Sequence, residues 1–509
     1  MKKSTFFFLM ILPLFVPFCL LAQTPTSAKN CIPCEQLINL RLPDVTILEA
    51  KSMQTATIEG QVIKVPFCHL LGRVSKEINF ELLLPNQWNE RFVMSGGGGF
   101  VGNIQNSFRD KLNAGYATAG TDAGHKGTGI DASWGLNNME RQLDFGKLAI
   151  HLTAVVSKSI INAYYCKDPA YSYFMGCSRG GGQAMVEAEF YPEDFQGIVC
   201  GAPAFNWPAI GAKFTQISQK NYPDPGNLTT PVITKENLRL LQDEVLKQCD
   251  AIDGIKDGII SDPSACKFDF SHLPVCSDGG ATAGCFSAKQ LDAIKTVYSP
   301  LTNKQGIIYP GFPFGAENEE GSWDSWIAGN NPTMKMPSLH YFFATGMFKY
   351  LVFNDPAWDY SKYDFSEFYK ETKYASAYLD ATQTDYSNFK KLNRKMIMFH
   401  GWNDPALSAL STISYYEDVE KKDKEVQSYI RLFLLPGVLH CNGGPGPDQV
   451  EWLTLIRDWV ENGKAPERVI MSKKKDEKTV MTRPVFPYPK AAVYNGKGDT
   501  KIETSFTEK

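Results

Sequence analysis

Residues 173–182 read YFMGCSRGGG, and this stretch decides how the chain is interpreted. A short apolar run enters it, glycines surround Ser178, and a helix-compatible segment, QAMVEA at 183–188, leaves it. Gly-x-Ser-x-Gly between a strand and a helix predicts a nucleophile elbow, a sharp turn in which side chains two positions from the serine would collide with neighbouring backbone. A glycine-rich turn with an incidental serine is the alternative. The elbow therefore requires a base, an acid and an oxyanion hole elsewhere in the chain.

Strand-like runs alternate with a helical segment around the elbow. The runs at 91–94, 115–122 and 197–204 are short and apolar, and residues 145–165 carry apolar side chains at helical spacing. This alternation predicts a parallel sheet covered by helices on both faces. Combined with the elbow, it predicts an α/β fold of the α/β-hydrolase type.

The alternation stops after the strand that follows the elbow. Residues 205–388 are rich in aromatic residues, Pro, Gly and Cys, and buried-strand patterns return only near residue 395. A chain of 509 residues is also too long for one ordinary domain. We therefore predict a catalytic domain formed by residues 23–204 and 389–509, interrupted by a lid domain at 205–388 over the C-terminal edge of the sheet.

The N-terminus predicts export. Two lysines precede a nearly continuous apolar run at 6–21, which is typical of a signal peptide, here residues 1–22. A membrane anchor is the alternative, but the run is short and contains Pro13 and Pro17. We expect a secreted or periplasmic protein that is not membrane-bound after cleavage. The net charge of −3, without a basic stripe, argues against a nucleic-acid partner.

The partners of Ser178 are expected downstream, because the chain order in this fold is Ser, acid, His. His440 follows the last strand-like run, and Asp404 follows the preceding one. His400 ends that preceding run and is interpreted as a satisfied, near-core histidine, while the other two downstream histidines fall within the predicted lid. We therefore predict a catalytic triad of Ser178, Asp404 and His440.

The oxyanion of an ester intermediate needs backbone N–H groups aimed at the developing charge. One donor is predicted to be Arg179, the residue after the nucleophile, and the other to come from the glycine loop at 96–99, in the region of Gly97 and Gly98. Phosphate binding is the competing interpretation of that loop. The loop lacks a Lys-Ser/Thr ending and the glycine spacing of a dinucleotide fingerprint, which disfavours it.

Two cysteines flank the predicted catalytic residues. Cys177 precedes the nucleophile and Cys441 follows the base, so a working Ser–His pair could bring both within disulfide range. Such a bond would clamp the elbow to the base loop, and export favours it over two free thiols. Of the 12 cysteines one lies in the predicted signal peptide, so an odd number remains and at least one is unpaired or pairs between chains.

Cys-Ser, a downstream Asp and His-Cys together resemble the tannase and feruloyl esterase family. The resemblance covers nearly the whole mature chain and includes TDAGH at 121–125, GAPA at 201–204 and RPVFPYP at 483–489. It implies a Ser-Asp-His triad, the Cys177–Cys441 disulfide, and hydrolysis of esters of aromatic acids. The substrate would be a small aromatic ester of feruloyl (hydroxycinnamoyl) or galloyl type, possibly attached to plant polysaccharide.

Other functions remain open at this point. Hydrolysis of terephthalate monoesters, which another member of the family performs, is one alternative. A general esterase, lipase or peptidase on the same fold is a second. A non-catalytic binding protein belongs to a different class, and an intact Ser, Asp and His in the right order argues against it.

The resemblance also implies a structural calcium ion in the lid, held by the segment CDAIDGIKDGI at 249–259. Its implied ligands are the carboxylates of Asp250, Asp253 and Asp257 and the carbonyl oxygens of Ile255 and Ile259. Three carboxylates so close in sequence repel one another unless they are solvated or neutralised, and oxygen ligands suit Ca²⁺. An ordinary Asp/Gly turn is the alternative, and the spacing is not that of an EF-hand.

Three further disulfides are implied by the resemblance: Cys249 with Cys266, Cys276 with Cys285, and Cys34 with Cys68. Cys31, Cys166 and Cys200 have no partner that can be assigned. The chain also departs from the family in two places. Residues 180–182 are Gly-Gly-Gly where many members have Gly-Gly-Arg, and Phe486 stands where many have a cysteine.

Overall fold

A computed structural model describes Met1 and residues 31–277, 284–331 and 336–509. Apart from Met1, the predicted signal peptide lies outside the described residues. Within the described ranges, no helix is long and apolar enough to cross a membrane.

Seventeen strands lie within the described ranges. They are β1 Val45–Met53, β2 Ala56–Ile58, β3 Gln61–Ile63, β4 Phe67–Val74, β5 Ile78–Pro85, β6 Arg91–Ser95, β7 Ala117–Thr121, β8 Tyr171–Cys177, β9 Gly197–Gly201, β10 Leu301–Asn303, β11 Gly306–Tyr309, β12 Lys395–Gly401, β13 Ile430–Leu435, β14 Val469–Lys475, β15 Lys478–Val485, β16 Ala492–Tyr494 and β17 Phe506–Glu508.

Twelve α-helices accompany them in the same ranges. They are α1 Met139–Leu143, α2 Ala149–Tyr165, α3 Arg179–Phe190, α4 Trp207–Asn221, α5 Lys235–Cys249, α6 Ala288–Tyr298, α7 Trp323–Trp326, α8 Leu339–Gly346, α9 Phe368–Leu379, α10 Ser387–Lys391, α11 Ala409–Lys422 and α12 Trp452–Asn462. The helix predicted over 145–165 begins later, because residues 144–148 form a π-helical turn before α2.

A nine-stranded sheet forms the centre of the molecule, in the order β1-β4-β5-β7-β6-β8-β9-β12-β13. Strands β7, β6, β8, β9, β12 and β13 run parallel to one another, whereas β1, β4 and β5 form an antiparallel end that joins the rest through the antiparallel pair of β5 and β7. The sheet is therefore mixed, and its parallel part carries the elbow strand β8 near the middle. This is the α/β fold predicted from the sequence.

Both faces of the sheet are covered, as the apolar runs require. Successive residues of β8 alternate between faces: Phe174 belongs to the large core cluster, and Tyr173 to a second cluster that includes Ile456 and Trp459 of α12. Met185 of α3 packs in the first cluster. Burial on both sides explains why the strands read as continuous apolar runs rather than alternating ones.

Between β9 and β12 the chain forms helices α4 to α10 and the small hairpin of β10 and β11. No described residue in this interval joins the central sheet. The segment is bonded to the loop after β12 at several points. His340 donates to the carbonyl oxygen of Pro405 at 2.9 Å, Asn403 donates to that of Phe314 at 3.0 Å, and Ser408 N–H donates to the hydroxyl of Tyr309 at 3.1 Å.

The four predicted disulfides are present: Cys34–Cys68, Cys177–Cys441, Cys249–Cys266 and Cys276–Cys285. A fifth joins Cys31 to Cys166, whose Cα atoms are 5.5 Å apart. The sequence did not reveal this pair because its members are 135 residues apart and meet only when the N-terminal segment lies along the end of α2.

Cys200 is the free cysteine among the described residues. It lies buried on β9, donates to the carbonyl oxygen of Gly181, and has a pKa raised by burial. Phe486 packs in an apolar cluster with Ile255, Ala492 and Phe506.

Candidate active site

Ser178 lies at the sharp turn between β8 and α3, with φ 63° and ψ −121°. A non-glycine residue in this region is strained, and such strain at a turn is characteristic of functional sites. A Cβ at Gly176 would lie 2.5 Å from the backbone of Gly180, and one at Gly181 would lie 2.1 Å from the carbonyl oxygen of Gly201. The turn therefore closes only with glycine at these positions.

The Gly-Gly-Gly departure has a steric explanation in this chain. A Cβ at Gly182 would lie 2.0 Å from the carbonyl oxygen of Ala204, so no larger residue fits there. The arginine of this elbow is instead Arg179, whose side chain is buried and lies over the rings of Phe145 and Trp207. Burial lowers the pKa of Arg179 to about 9.

Asp404 and His440 are brought together by the loops that follow β12 and β13. Nδ1 of His440 lies 2.7 Å from Oδ2 of Asp404. A carboxylate can only accept, so Nδ1 carries the proton and Nε2 is left as the basic nitrogen. The other carboxylate oxygen, Oδ1, accepts from the N–H groups of Ala406 and Leu407 at 2.8 and 2.9 Å.

The carboxylate of Asp404 is almost completely buried yet ionised. Burial opposes ionisation, but electrostatic attraction to His440 and hydrogen bonds from His400 and His440 outweigh it and hold the pKa of Asp404 well below its ordinary value. A permanently charged carboxylate suits a residue that orients a histidine and stabilises its imidazolium form.

His400 was interpreted from the sequence as a near-core histidine, and it is fully buried. It also lies 3.2 Å from Oδ2 of Asp404, which the sequence interpretation missed. The signal was present, because His400 and Asp404 stand four residues apart around a tight turn.

A narrow apolar pocket lies against Ser178 and His440. Its walls come largely from the inserted segment and comprise Trp207, Ile210, Phe214, Trp326, Phe343 and Met347. The indole of Trp326 also meets the ring of His440 edge-on, with centroids 5.0 Å apart. Of the many aromatic residues in the segment, Trp326 and Phe343 therefore face the reactive centre, whereas Trp323 and Phe348 belong to the core.

A second, wider cleft borders the same residues. It shares Ser178, His440, Trp326 and Phe343 with the first pocket and is also lined by Cys177 and Cys441. Ser178 therefore lines both spaces.

The predicted oxyanion donors lie in the right region. The glycine loop lines the cleft beside Ser178, and the N–H of Arg179 is at the N-terminus of α3. In the structure the N–H of Gly97 donates to Oε1 of Gln183 at 2.9 Å, and that of Gly98 donates to Oε1 of Gln105 at 2.8 Å. Two side-chain carbonyl groups therefore satisfy these donors, and the oxyanion role of the loop stays a prediction.

The predicted calcium loop wraps tightly, with Gly254 at φ 94° and Gly258 at φ 78°. Burial raises the pKa of both Asp250 and Asp253, and the negative charge of Asp257 raises it further. Mutual repulsion of this kind, together with oxygen donors only, fits the chemistry of Ca²⁺.

The same carboxylates also have protein partners. Asp250 accepts from the N–H of Gly258 at 3.1 Å, and Asp257 accepts from Arg483 at 2.5 Å. Within the described ranges, no three acidic, His or Cys side chains are grouped closely enough to hold an ion.

The sheet topology, the strained elbow at Ser178 and the Asp404–His440 pair define a serine hydrolase of the α/β-hydrolase fold. Comparison with known proteins narrows this class. The chain belongs to the tannase and feruloyl esterase family, whose model matches residues 60–508, and it is a carboxylic ester hydrolase.

Individual relatives agree with this membership. An uncharacterized esterase of Xanthomonas campestris is 31% identical over 94% of this chain and 92% of its own length. The mono(2-hydroxyethyl) terephthalate hydrolase of Piscinibacter sakaiensis is 30% identical, covering 86% of this chain and 84% of the relative. The crystal structure of feruloyl esterase B from Aspergillus oryzae superposes with a TM-score of 0.84 at 26% identity, covering 94% of this chain and 99% of that one.

Proposed function

We propose that this esterase is exported and cleaves esters of aromatic acids through an acyl-enzyme on Ser178. The observation that carries the proposal is the cavity beside Ser178 and His440, whose walls are aromatic and aliphatic. Such a cavity binds an apolar ring and leaves the ester bond at its mouth. The five disulfides are in keeping with an oxidising compartment outside the cytoplasm.

The proposed reaction has two halves. In the first, Nε2 of His440 takes the proton of Ser178 as its hydroxyl oxygen attacks the ester carbonyl, and the alcohol then leaves with that proton. In the second, His440 activates a water molecule that hydrolyses the acyl-enzyme. Asp404 keeps the imidazole in the required tautomer throughout, since it accepts the proton of Nδ1.

The oxyanion would be stabilised by the N–H of Arg179 and by the glycine loop. Gly98 is the accessible donor of that loop, because its present acceptor, Gln105, also borders the cleft and can be displaced by substrate. Gly97 is bonded to Gln183, which is buried. Gly98 is therefore the better candidate of the two.

The acyl group is proposed to be a feruloyl (hydroxycinnamoyl) or galloyl group, and the alcohol to be part of a plant polysaccharide or a small alcohol. The structural similarity to a feruloyl esterase B supports the first. Terephthalate monoesters are a second candidate, favoured by the identity to a terephthalate monoester hydrolase at similar coverage.

Matched methyl esters test the proposal. We expect kcat/KM for methyl ferulate or methyl gallate to exceed that for methyl acetate by about 100-fold or more, because burying an aromatic ring contributes a few kcal/mol. Mono(2-hydroxyethyl) terephthalate, a triglyceride and a peptide complete the panel. The ratio of the three aromatic esters identifies the acyl group.

A cavity variant serves as the control. Phe343→Ala should lower the aromatic rates while leaving methyl acetate nearly unchanged, since only the ring loses a wall. Equal rates on methyl acetate and methyl ferulate in the wild-type enzyme would argue against an aromatic acyl site. Preferential cleavage of triglycerides or peptides would favour the general lipase or peptidase instead.

We further propose that the loop at 250–259 holds one structural Ca²⁺ through the carboxylates of Asp250, Asp253 and Asp257 and the carbonyls of Ile255 and Ile259. The raised pKa values of Asp250 and Asp253 support it, because a divalent cation would relieve the repulsion. In the structure the three carboxylates are not grouped closely enough to hold an ion, so binding would have to draw them together. The ion would brace the inserted segment and take no part in the chemical step.

Chelation tests this proposal directly. Metal analysis of the purified enzyme should find about one Ca²⁺ per chain, and EGTA should lower the Tm, since an ion present at 1,000 times its Kd contributes about 4 kcal/mol. Ca²⁺ should restore the Tm, while Mg²⁺, which demands a smaller octahedral site, should not. An enzyme free of calcium with an unchanged Tm after EGTA treatment would remove the ion from the proposal.

A further inference from the structure

His400 makes three contacts at the end of β12, all of them out of reach of solvent. Its Nε2 lies 2.9 Å from the carbonyl oxygen of Leu407 and 3.2 Å from Oδ2 of Asp404, and its Nδ1 lies 2.8 Å from Oγ1 of Thr412. Both neighbours of Nε2 can only accept, so Nε2 carries a proton, which it donates to the carbonyl oxygen of Leu407 while lying beside Oδ2 of Asp404. Thr412, which can donate or accept, holds the other side of the ring.

Two histidine rings therefore approach Oδ2 of Asp404. His440 donates to it at 2.7 Å, and the protonated Nε2 of His400 lies 3.2 Å from it. Since Oδ1 is held by the N–H groups of Ala406 and Leu407, the carboxylate has a partner for each of its bonding directions. A carboxylate held on all sides cannot rotate, and its orientation sets that of the His440 imidazole.

We infer that His400 is a positioning residue of the esterase reaction: it fixes the carboxylate of Asp404 and moderates the negative charge that Asp404 presents to His440. This inference rests on the proposed triad. A histidine that only braced the turn would have no contact with the carboxylate of Asp404. The contact with the same oxygen that accepts from His440 is what links it to the reaction.

The other titratable groups around Asp404 do not moderate the negative charge of its carboxylate. The lid presents His340 from α8 and Tyr309 from β11, and Lys213 of α4 lies behind His340. Burial lowers the pKa of His340 to about 3 and raises the pKa of Tyr309, so both are neutral. His340 donates to the carbonyl oxygen of Pro405 rather than to the carboxylate.

The charge on Oδ2 of Asp404 determines in which direction the pH profile of kcat/KM should move when His400 is replaced. Removing the N–H of His400 leaves more negative charge on Oδ2 and so stabilises the imidazolium form of His440. That form cannot accept the proton of Ser178, so the acid limb of the kcat/KM profile moves to higher pH. The direction is the same whether His400 itself is neutral or charged.

The test compares pH profiles of kcat/KM on methyl ferulate for the wild-type enzyme, His400→Leu, His400→Gln and His340→Leu. We expect His400→Leu to raise the midpoint of the acid limb by about 0.5 to 1 pH unit and to lower kcat about tenfold, as the carboxylate loses its brace. His400→Gln, which keeps an N–H donor, should recover part of both. His340→Leu removes another fully buried histidine, which lies on α8 and donates to the carbonyl oxygen of Pro405, and should leave the midpoint where it is.

The outcomes separate the possibilities. An unshifted acid limb in His400→Leu, or an equal shift in His340→Leu, overturns the inference and reduces His400 to a structural residue. If His400→Leu does not fold, Thr412→Val decides, because it removes the bond to Nδ1 and should shift the limb in the same direction by less; no shift there also overturns the inference. A wild-type enzyme without esterase activity would instead overturn the proposed function.

Discussion

Ser178→Ala is expected to lower kcat on methyl ferulate, methyl gallate and p-nitrophenyl esters alike, by between about 10⁴- and 10⁶-fold. The elbow holds Ser178 at a strained φ of 63°, where the residue lines both pockets. Its hydroxyl is the proposed nucleophile for every ester, so removing it should affect all of them. Initial rates by chromatography, with labelling by a fluorophosphonate probe, measure the loss.

Two controls accompany this variant. Ser159→Ala changes an exposed serine on α2 and should retain full activity and labelling. The Tm of Ser178→Ala should equal or exceed that of the wild-type enzyme, because alanine forgoes no packing at this turn. Turnover in Ser178→Ala within tenfold of the wild-type rate would mean that another residue attacks the ester, and absence of probe labelling in the wild-type enzyme would favour a binding protein.

Replacing Cys177 and Cys441 together by alanine is expected to have the largest effect on stability. Their disulfide closes a loop of 264 residues, and its loss should lower the free energy of unfolding by about 5 kcal/mol on the chain-entropy model. It also joins the residue before Ser178 to the residue after His440. The double variant should therefore lose kcat as well as stability, because the nucleophile and the base are then held only by separate loops.

The disulfide between Cys276 and Cys285 provides the comparison. It closes a loop of only 9 residues outside the active site, and removing it should cost about 2.5 kcal/mol on the same model with little change in kcat. Urea unfolding curves and kcat on methyl ferulate, measured for both double variants, test the difference. Equal destabilisation, or an unchanged kcat without Cys177 and Cys441, would contradict a clamp between elbow and base.

Much of the site could be predicted because it is built from local signals. Residues 173–182 predict the elbow, because the turn cannot close around Ser178 without glycine on both sides. Asp404 and His440 follow successive parallel strands, and the carboxyl ends of such strands meet at one edge of a sheet. This arrangement brings Nδ1 of His440 to within 2.7 Å of Oδ2 of Asp404.

Other features depend on contacts that no local pattern records. The bridge from Cys31 to Cys166 forms because an N-terminal segment lies along α2. The cavity walls combine Trp207 and Phe214 of α4 with Phe343 of α8, more than 120 residues further along the chain. Periodicity predicts that such residues are buried, but not which of them face a reacting serine.

The sequence by itself determined the fold class, the nucleophile and the order in which the acid and the base follow it. Steric limits on one glycine-rich turn identify the nucleophile, and the shared direction of parallel strands leaves few places for its partners. Only the tertiary structure decided which groups surround them: the second histidine on Asp404, the glutamine carbonyls on the glycine loop, and the apolar walls beside Ser178. These contacts join segments far apart in the chain, so their geometry is set by how the inserted segment packs on the sheet and not by any stretch of residues alone.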